Sequence, residues 1–173
     1  DETFFKGVYK LKPAHYLIYK NGELEIKRYW QPKFEPEKDI VADPANGKKL
    51  QDAIQDVEDV MLESVGMHTV VSDVEVGSFL SSGVDSSFVA ATFRNGMDKE
   101  SGKTFTVGFD YEKYNEIGYA QELSKYVGIE SNSKIISTDE YWESLPKVQY
   151  HMDEPLADPS AVALYFVSKL ARE

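Results

Sequence analysis

The stretch VGSFLSSGVDSSFVAATF, residues 76–93, decides how the rest of the chain is read. Apolar and small residues run into a knot of Ser and Gly. One Asp and two more Ser follow, and then an apolar run of helical length. A strand that ends at hydroxyls from which a helix starts brings free backbone N–H groups and the positive end of a helix dipole to one point. Such a point suits a phosphate. Gly83 permits positive φ and a close approach of the backbone. Ser81, Ser82, Ser86 and Ser87 add donors. Asp85 repels a bare phosphate, and its presence makes sense if Mg²⁺ stands between them. A magnesium–polyphosphate ligand therefore accounts for the hydroxyls and the carboxylate together. The same residues are also compatible with a plain strand-to-helix turn rich in caps. Neither G-x-x-x-x-G-K-[ST] nor G-x-G-x-x-G occurs here.

Outward from the loop, the hydrophobic period separates two regions. Before Trp30 it is two: Tyr16 and Ile18, then Leu24 and Ile26, alternate around Asn21-Gly22, which predicts a β-hairpin. Residues 31–39, with two prolines and alternating charge, read as a linker. Leu50, Ala53, Ile54, Val57, Val60, Met61 and Val65 then form one helical face, opposite a solvated stripe of Asp52, Asp56, Asp59 and Glu63, with Gly66 as the expected stop. Val74, Val76, Phe79 and Leu80 predict a buried strand, and residues 87–94 a helix. Residues 104–109 predict a second strand and residues 117–127 a helix closed by Gly128. Residues 134–136 fall in a third strand. A helix over 139–151 capped from Thr138 and a last one from Ser160 to Leu170 complete the pattern. Strand alternating with helix predicts an α/β fold, a parallel sheet with flanking helices, preceded by the separate hairpin.

The chain has 173 residues, is 42% hydrophobic and 28% charged, and carries a formal net charge of −11. This composition supports a packed core and argues against disorder. The acidic balance argues against nucleic-acid or anionic-membrane partners. With no cysteine, disulfides and thiolate chemistry are excluded within these residues. No apolar run approaches a membrane span, and a cytoplasmic setting is expected. The start at Asp1-Glu2-Thr3 and the stop inside a predicted helix lead to the expectation of a piece of a longer protein.

Residues 81–86, S-S-G-V-D-S, resemble the S-G-G-x-D-S pyrophosphate loop (PP-loop) of the N-type ATP pyrophosphatases, with Ser82 in place of the first Gly. Beyond the loop, the chain resembles glutamine-hydrolysing asparagine synthetase almost end to end. FKGVYKLKPAHYLIYKNGELEIKRYW is similar to the exit of that family's glutaminase domain. SDVEVGSFLSSGVDSS is similar to its strand and pyrophosphate loop. FTVGFDYEKYNEIGYAQELSKYVG is similar to the next strand and helix, and HMDEPLADPSAVALYFVSKLARE to the segment after the third strand.

The resemblance implies an incomplete adenine nucleotide α-hydrolase-like domain over residues 37–173, after the last hairpin of a glutaminase domain and its linker over residues 1–36. It implies a ligase of asparagine biosynthesis. Aspartate is activated by ATP as β-aspartyl-AMP with release of pyrophosphate, and ammonia from glutamine then gives asparagine. ATP and Mg²⁺ are the implied cofactors, and the glutaminase domain of the same parent chain is the implied partner. A homodimer is compatible with it. By position, Leu80, Val107 and Gly108 meet the nucleotide. Ser81, Ser82, Gly83, Val84, Asp85, Ser86 and Ser87 hold the pyrophosphate, with Asp85 on the metal. Asp158, Pro159 and Ser160 stand near the acyl acceptor. No nucleophilic side chain is called for.

The glutaminase cysteine and a second acidic glycine-rich loop, expected shortly after Glu173, are not among these residues. Taken alone, the chain is therefore expected to bind MgATP weakly or not at all and to make no asparagine. An apolar face of Val162, Leu164, Phe166 and Leu170 is expected to lie uncovered. Alternatives are another adenylating amidotransferase, a β-lactam synthetase-like enzyme, or a non-catalytic nucleotide-binding module. His15, His68 and His151 lack ligand spacing. Trp30 and Trp142 are expected to be packing residues. Glu116, in the YNE stretch, is expected to serve a helix N-terminus, although the strand end puts it within reach of the loop. Asp153 in DEP is read either as a turn residue or as a metal carboxylate.

Overall fold

A computed structural model describes residues 1–34, 47–96 and 102–173. The predicted linker falls largely outside the described residues.

β1 (His15–Lys20) and β2 (Glu23–Arg28) form an antiparallel hairpin in which Leu17 faces Ile26 and Tyr19 faces Leu24. Asn21 and Gly22 have φ of 54° and 85°, the paired positive values that a tight two-residue hairpin turn demands. Both faces meet solvent: Leu17 on one and Ile18 on the other are each 46% exposed. Tyr16 stacks on Tyr29 with ring centroids 6.5 Å apart.

α1 (Gly47–Val70) carries the acidic stripe on its exposed side. It does not stop at Gly66. That glycine has no positive φ, so nothing there turns the chain, and the helix runs to Val70, with the Thr69 hydroxyl donating to the Gly66 carbonyl at 2.8 Å. α1 packs against α2 (Val84–Asn95). Leu50, Ile54, Val57 and Val60 on its apolar face remain exposed, while Met61 and Val65 are half-buried.

The sheet is parallel throughout, in the order β3 (Gly77–Phe79), β4 (Lys103–Phe109), β5 (Glu130–Ile136). Phe79 is level with Phe105, and Phe109 with Ile136. β3 is shorter than its apolar run. Val74 lies outside it, exposed, in a turn where its N–H donates to the Ser72 hydroxyl at 3.3 Å. Gly77 is required by packing, since a Cβ there would stand 2.5 Å from the Phe105 ring.

α2 and α3 (Ile117–Val127) cover one face of the sheet, with Leu80, Ala90 and Ala120 buried and Leu123 packed on them. β4 turns Thr104, Thr106 and Gly108 to this side. The Thr104 and Ser124 hydroxyls pair at 2.8 Å, and the Thr106 hydroxyl donates to the Leu80 carbonyl at 2.8 Å. Buried polar groups satisfied in this way do not carry a desolvation penalty. α4 (Thr138–His151) and α5 (Ser160–Arg172) cover the other face, where Ile136, Val148, Ala161, Val162 and Phe166 form the core with Val107 and Phe109 against it. The expected open face on α5 is thus corrected. Val162 and Phe166 are buried, each worth roughly 1.5–3 kcal/mol, and Leu164 stays exposed.

The helix starts also shift. α2 begins at Val84, so Asp85, Ser86 and Ser87 lie in its first turn. α4 is capped by Ser137, not Thr138: its hydroxyl accepts from Glu140 N at 3.2 Å, while the Glu140 carboxylate accepts from Ser137 N at 3.0 Å. Ser160 is the first residue of α5, not its cap. Gly128 closes α3 at φ 73°, as expected. Trp30 and Trp142 are not core residues, being 59% and 63% exposed.

Candidate functional site

The serine loop leaves the carboxyl end of β3 and enters α2, the position at which open parallel sheets bind ligands. Its root is fixed. Leu80 donates its N–H to the Phe105 carbonyl at 2.9 Å, and its own carbonyl takes the Thr106 hydroxyl. Beyond Leu80 the hydroxyls organise the backbone. The Ser86 hydroxyl accepts from Ser81 N at 3.2 Å, pairs with the Ser81 hydroxyl at 2.8 Å and donates to the Gly83 carbonyl at 3.0 Å. The Ser81 hydroxyl accepts from Gly83 N at 3.2 Å, and the Ser87 hydroxyl donates to the Gly83 carbonyl at 2.7 Å. Ser81, Ser86 and Ser87 therefore build the loop before they meet anything else. The Ser82 hydroxyl makes no hydrogen bond among the described residues and is exposed.

The first helical bond of α2 runs from Ser87 N to the Gly83 carbonyl at 3.0 Å. The N–H groups of Val84, Asp85 and Ser86 lie ahead of it, without intrahelical partners, at the positive end of the helix. Gly83 has φ −72° and ψ 147°, so the positive φ read from the sequence is not used. Ser82 has no positive φ either, and the serine in place of the first glycine of the pattern carries no backbone strain.

Asp85 is exposed in the first turn of α2 and makes no ion pair or hydrogen bond among the described residues. No group of three or more His, Cys, Asp or Glu able to hold a metal occurs among the described residues. A cation on Asp85 must take most of its ligands from water or from the molecule it accompanies. That donor set fits Mg²⁺ on a polyphosphate, which keeps its waters and needs one or two carboxylates.

Other expected site residues are placed differently. Leu80 is 4% exposed, and its side chain belongs to the α2–α3 core. Val107 packs against the α4–α5 core, on the opposite face. Gly108 is buried, and a Cβ there would stand 2.5 Å from Asn115 Oδ1 and 3.0 Å from Ile117 Cδ1. The lack of a side chain therefore admits the segment leading into α3. Asp158 and Ser160 bond to each other: Asp158 Oδ1 accepts the Ser160 hydroxyl at 2.5 Å and its N–H at 2.9 Å. The hydroxyl, and then the N–H, lower the Asp158 pKa from its ordinary value of 3.8. Ala171, near the other end of α5, lines a cavity with Gly77 and Lys103 at the starts of β3 and β4. α5 therefore runs against the strand direction, and Asp158 starts it toward the carboxyl edge of the sheet. Asp153 has φ 61° in a turn, and its neighbour Glu154 pairs with Lys10, which agrees with the turn reading.

One group outside the expected set meets the loop. Glu116, the residue before α3, accepts from Ser82 N at 3.1 Å. The two residues are 34 positions apart, and the only sequence signal was the place of Glu116 just past a strand end.

The fold and this loop define an α/β domain of the open parallel-sheet kind, with its polar loop at the carboxyl end of a strand. The chain belongs to the asparagine synthase family, whose model matches residues 56–173. It is 40% identical over 172 residues to asparagine synthetase [glutamine-hydrolyzing] 1 of Bacillus subtilis, covering 99% of this chain and 25% of that protein. It is 33% identical to a putative asparagine synthetase [glutamine-hydrolyzing] of Mycobacterium tuberculosis, covering 99% of this chain and 25% of that protein. It is 30% identical to a putative asparagine synthetase [glutamine-hydrolyzing] 2 of Methanocaldococcus jannaschii, covering 99% and 32%. The chain thus spans about a quarter to a third of the length of these curated relatives. No helix among the described residues is long and apolar enough to cross a membrane.

Proposed function

We propose that this chain is the pyrophosphate-loop part of an ATP-dependent asparagine synthetase that takes its ammonia from glutamine. The observation that carries the reading is the serine loop. Its hydroxyls brace its own backbone, so that three N–H groups at the start of α2 stay free for an anion beside the uncommitted carboxylate of Asp85. Residues 37–173 belong to the synthetase domain. Residues 1–36 are the end of a glutaminase domain and its linker, which accords with a hairpin hydrogen-bonded apart from the parallel sheet.

In the reaction, a side-chain oxygen of aspartate attacks the α-phosphorus of ATP. The bond to the β-phosphate oxygen breaks, pyrophosphate leaves and β-aspartyl-AMP remains. Ammonia then attacks the acyl carbon, AMP departs with the bonding electrons, and a proton is lost to give asparagine. Mg²⁺, when bound, offsets the charge of the phosphates. The N–H groups of Val84, Asp85 and Ser86 with the free Ser82 hydroxyl hold the leaving pyrophosphate, and Asp85 holds its cation. Positioning and charge neutralisation supply the rate. By the family resemblance Leu80, Val107 and Gly108 meet the nucleotide through their backbone, since the Leu80 and Val107 side chains are packed in the cores on opposite faces of the sheet. Asp158 and Ser160 stand on the acceptor side, at the start of α5. The reaction is placed in the cytoplasm.

The test uses the full-length parent with ATP, aspartate and glutamine. Aspartate-dependent release of pyrophosphate, with asparagine and AMP as products, is expected. Pyrophosphate release that needs a different carboxylic acid would support another adenylating enzyme instead. Absence of ATP binding would leave only a non-catalytic interaction module that retains the fold.

A further inference from the structure

Among the loop's N–H groups, that of Ser82 is held in a distinctive way. Ser81 N and Gly83 N are taken by the loop's own serines, whereas Ser82 N donates to the exposed carboxylate of Glu116, brought from beyond β4. A carboxylate oxygen and a phosphate oxygen are acceptors of the same kind for a backbone N–H. The carboxylate thus already occupies one N–H of the loop, in a protein of net charge −11.

We propose that Glu116 is a resident competitor of the loop: its carboxylate and a pyrophosphate oxygen vie for the Ser82 amide, and occupation by one excludes the other. The inference rests on the pyrophosphate-loop reading above. Glu116 loses little by leaving, since it precedes α3 and keeps the attraction of that helix's positive end.

The experiment is calorimetric binding of magnesium pyrophosphate to the full-length parent carrying this chain, for the wild type, Glu116→Ala, Glu116→Asp, Glu112→Gln and Asp85→Asn. Removing a competing charge-assisted hydrogen bond is expected to tighten binding roughly tenfold in Glu116→Ala. Glu116→Asp, one methylene too short to keep the contact, is expected to tighten it as well. Glu112→Gln removes an exposed charge that precedes Glu116 in the same connection and makes no hydrogen bond to Ser82, and is expected to change nothing. Asp85→Asn is expected to weaken binding. Unchanged or weaker binding in Glu116→Ala, with Asp85→Asn weakened, would overturn the competition and leave the loop reading standing. Equal tightening in Glu112→Gln would overturn it too, in favour of general repulsion. If Asp85→Asn binds as the wild type does, the loop reading itself fails, and the inference with it. Melting temperatures of all variants identify any that do not fold, and Glu116→Asp carries the test if Glu116→Ala is one of them.

Discussion

Two of the Ser- and Asp-containing helix starts in this domain, those of α2 and α5, use the same chemistry to opposite ends. At α5, Asp158 spends its carboxylate on the hydroxyl and N–H of Ser160, two residues on, and the start is closed upon itself. At α2, Ser81, Ser86 and Ser87 spend their hydroxyls on one another and on the Gly83 carbonyl, while the carboxylate of Asp85 is left over. Composition is alike in the two segments. What differs is which group remains once the local bonds are made. A helix start is a cap when its side chains satisfy its own N–H groups, and a candidate site when they brace the loop and leave those groups free.

The sharpest way to break this comparison is Asp85→Asn in the full-length enzyme. Adenylation, followed as pyrophosphate release, is expected to fall on the order of a hundredfold, with glutamine hydrolysis and melting temperature unchanged. Asp158→Asn is expected to do the reverse, lowering the melting temperature while magnesium-pyrophosphate affinity stays within about twofold. Equal losses of affinity from both would show that the two starts are not different in kind.

Gly108→Ala probes the neighbouring strand end. Its Cβ must displace Asn115 and Ile117, and the expected cost is about 1–3 kcal/mol in denaturant unfolding. Unchanged stability would mean that the segment between β4 and α3 gives way freely. Ser86→Ala removes the hub of the loop. Pyrophosphate affinity is expected to drop roughly tenfold by calorimetry, with little change in stability.

The smallest effect concerns acid. The Glu140 carboxyl lies below its usual 4.5 because of the Lys134 ammonium at 2.8 Å and the Ser137 N–H. A lowered folded-state value means stability that is fully present above pH 4.5 and lost as the pH falls through that lower value. Asp158 behaves likewise below 3.8. Thermal melts of Glu140→Gln are expected to show a shallower acid limb than the wild type. An identical limb would place the acid sensitivity elsewhere.

Local signals in the sequence were legible where one residue decides the backbone. Asn21-Gly22 sets the hairpin turn, and Gly128 closes α3. The strand–helix alternation foretold the parallel sheet, because short apolar runs separated by helical-period segments are what crossover connections between parallel strands require. Gly66 misled because a glycine at ordinary helical φ ends nothing. Ser137 was missed in favour of the adjacent hydroxyl of Thr138, although the spacing Ser137-x-x-Glu140 marks a capping box. In the site, the residue types of the loop were readable, but their division of labour was not. Which hydroxyl braces and which stays free depends on where α2 begins, and that was placed at Ser87 rather than Val84. The Glu116–Ser82 contact joins two strand ends, and no local pattern announces it.

The hydroxyl of Thr106 on the Leu80 carbonyl has a consequence for time. It clamps the base of the loop to the central strand, while the tip is held by side-chain hydroxyls, those of the exposed Ser81 and the half-buried Ser86 and Ser87. Exposed side chains change rotamer in picoseconds to nanoseconds, whereas collective backbone motions take microseconds or longer. On the pyrophosphate-loop reading proposed above, the tip exchanges its side-chain bonds for those of an arriving anion while its base stays in place.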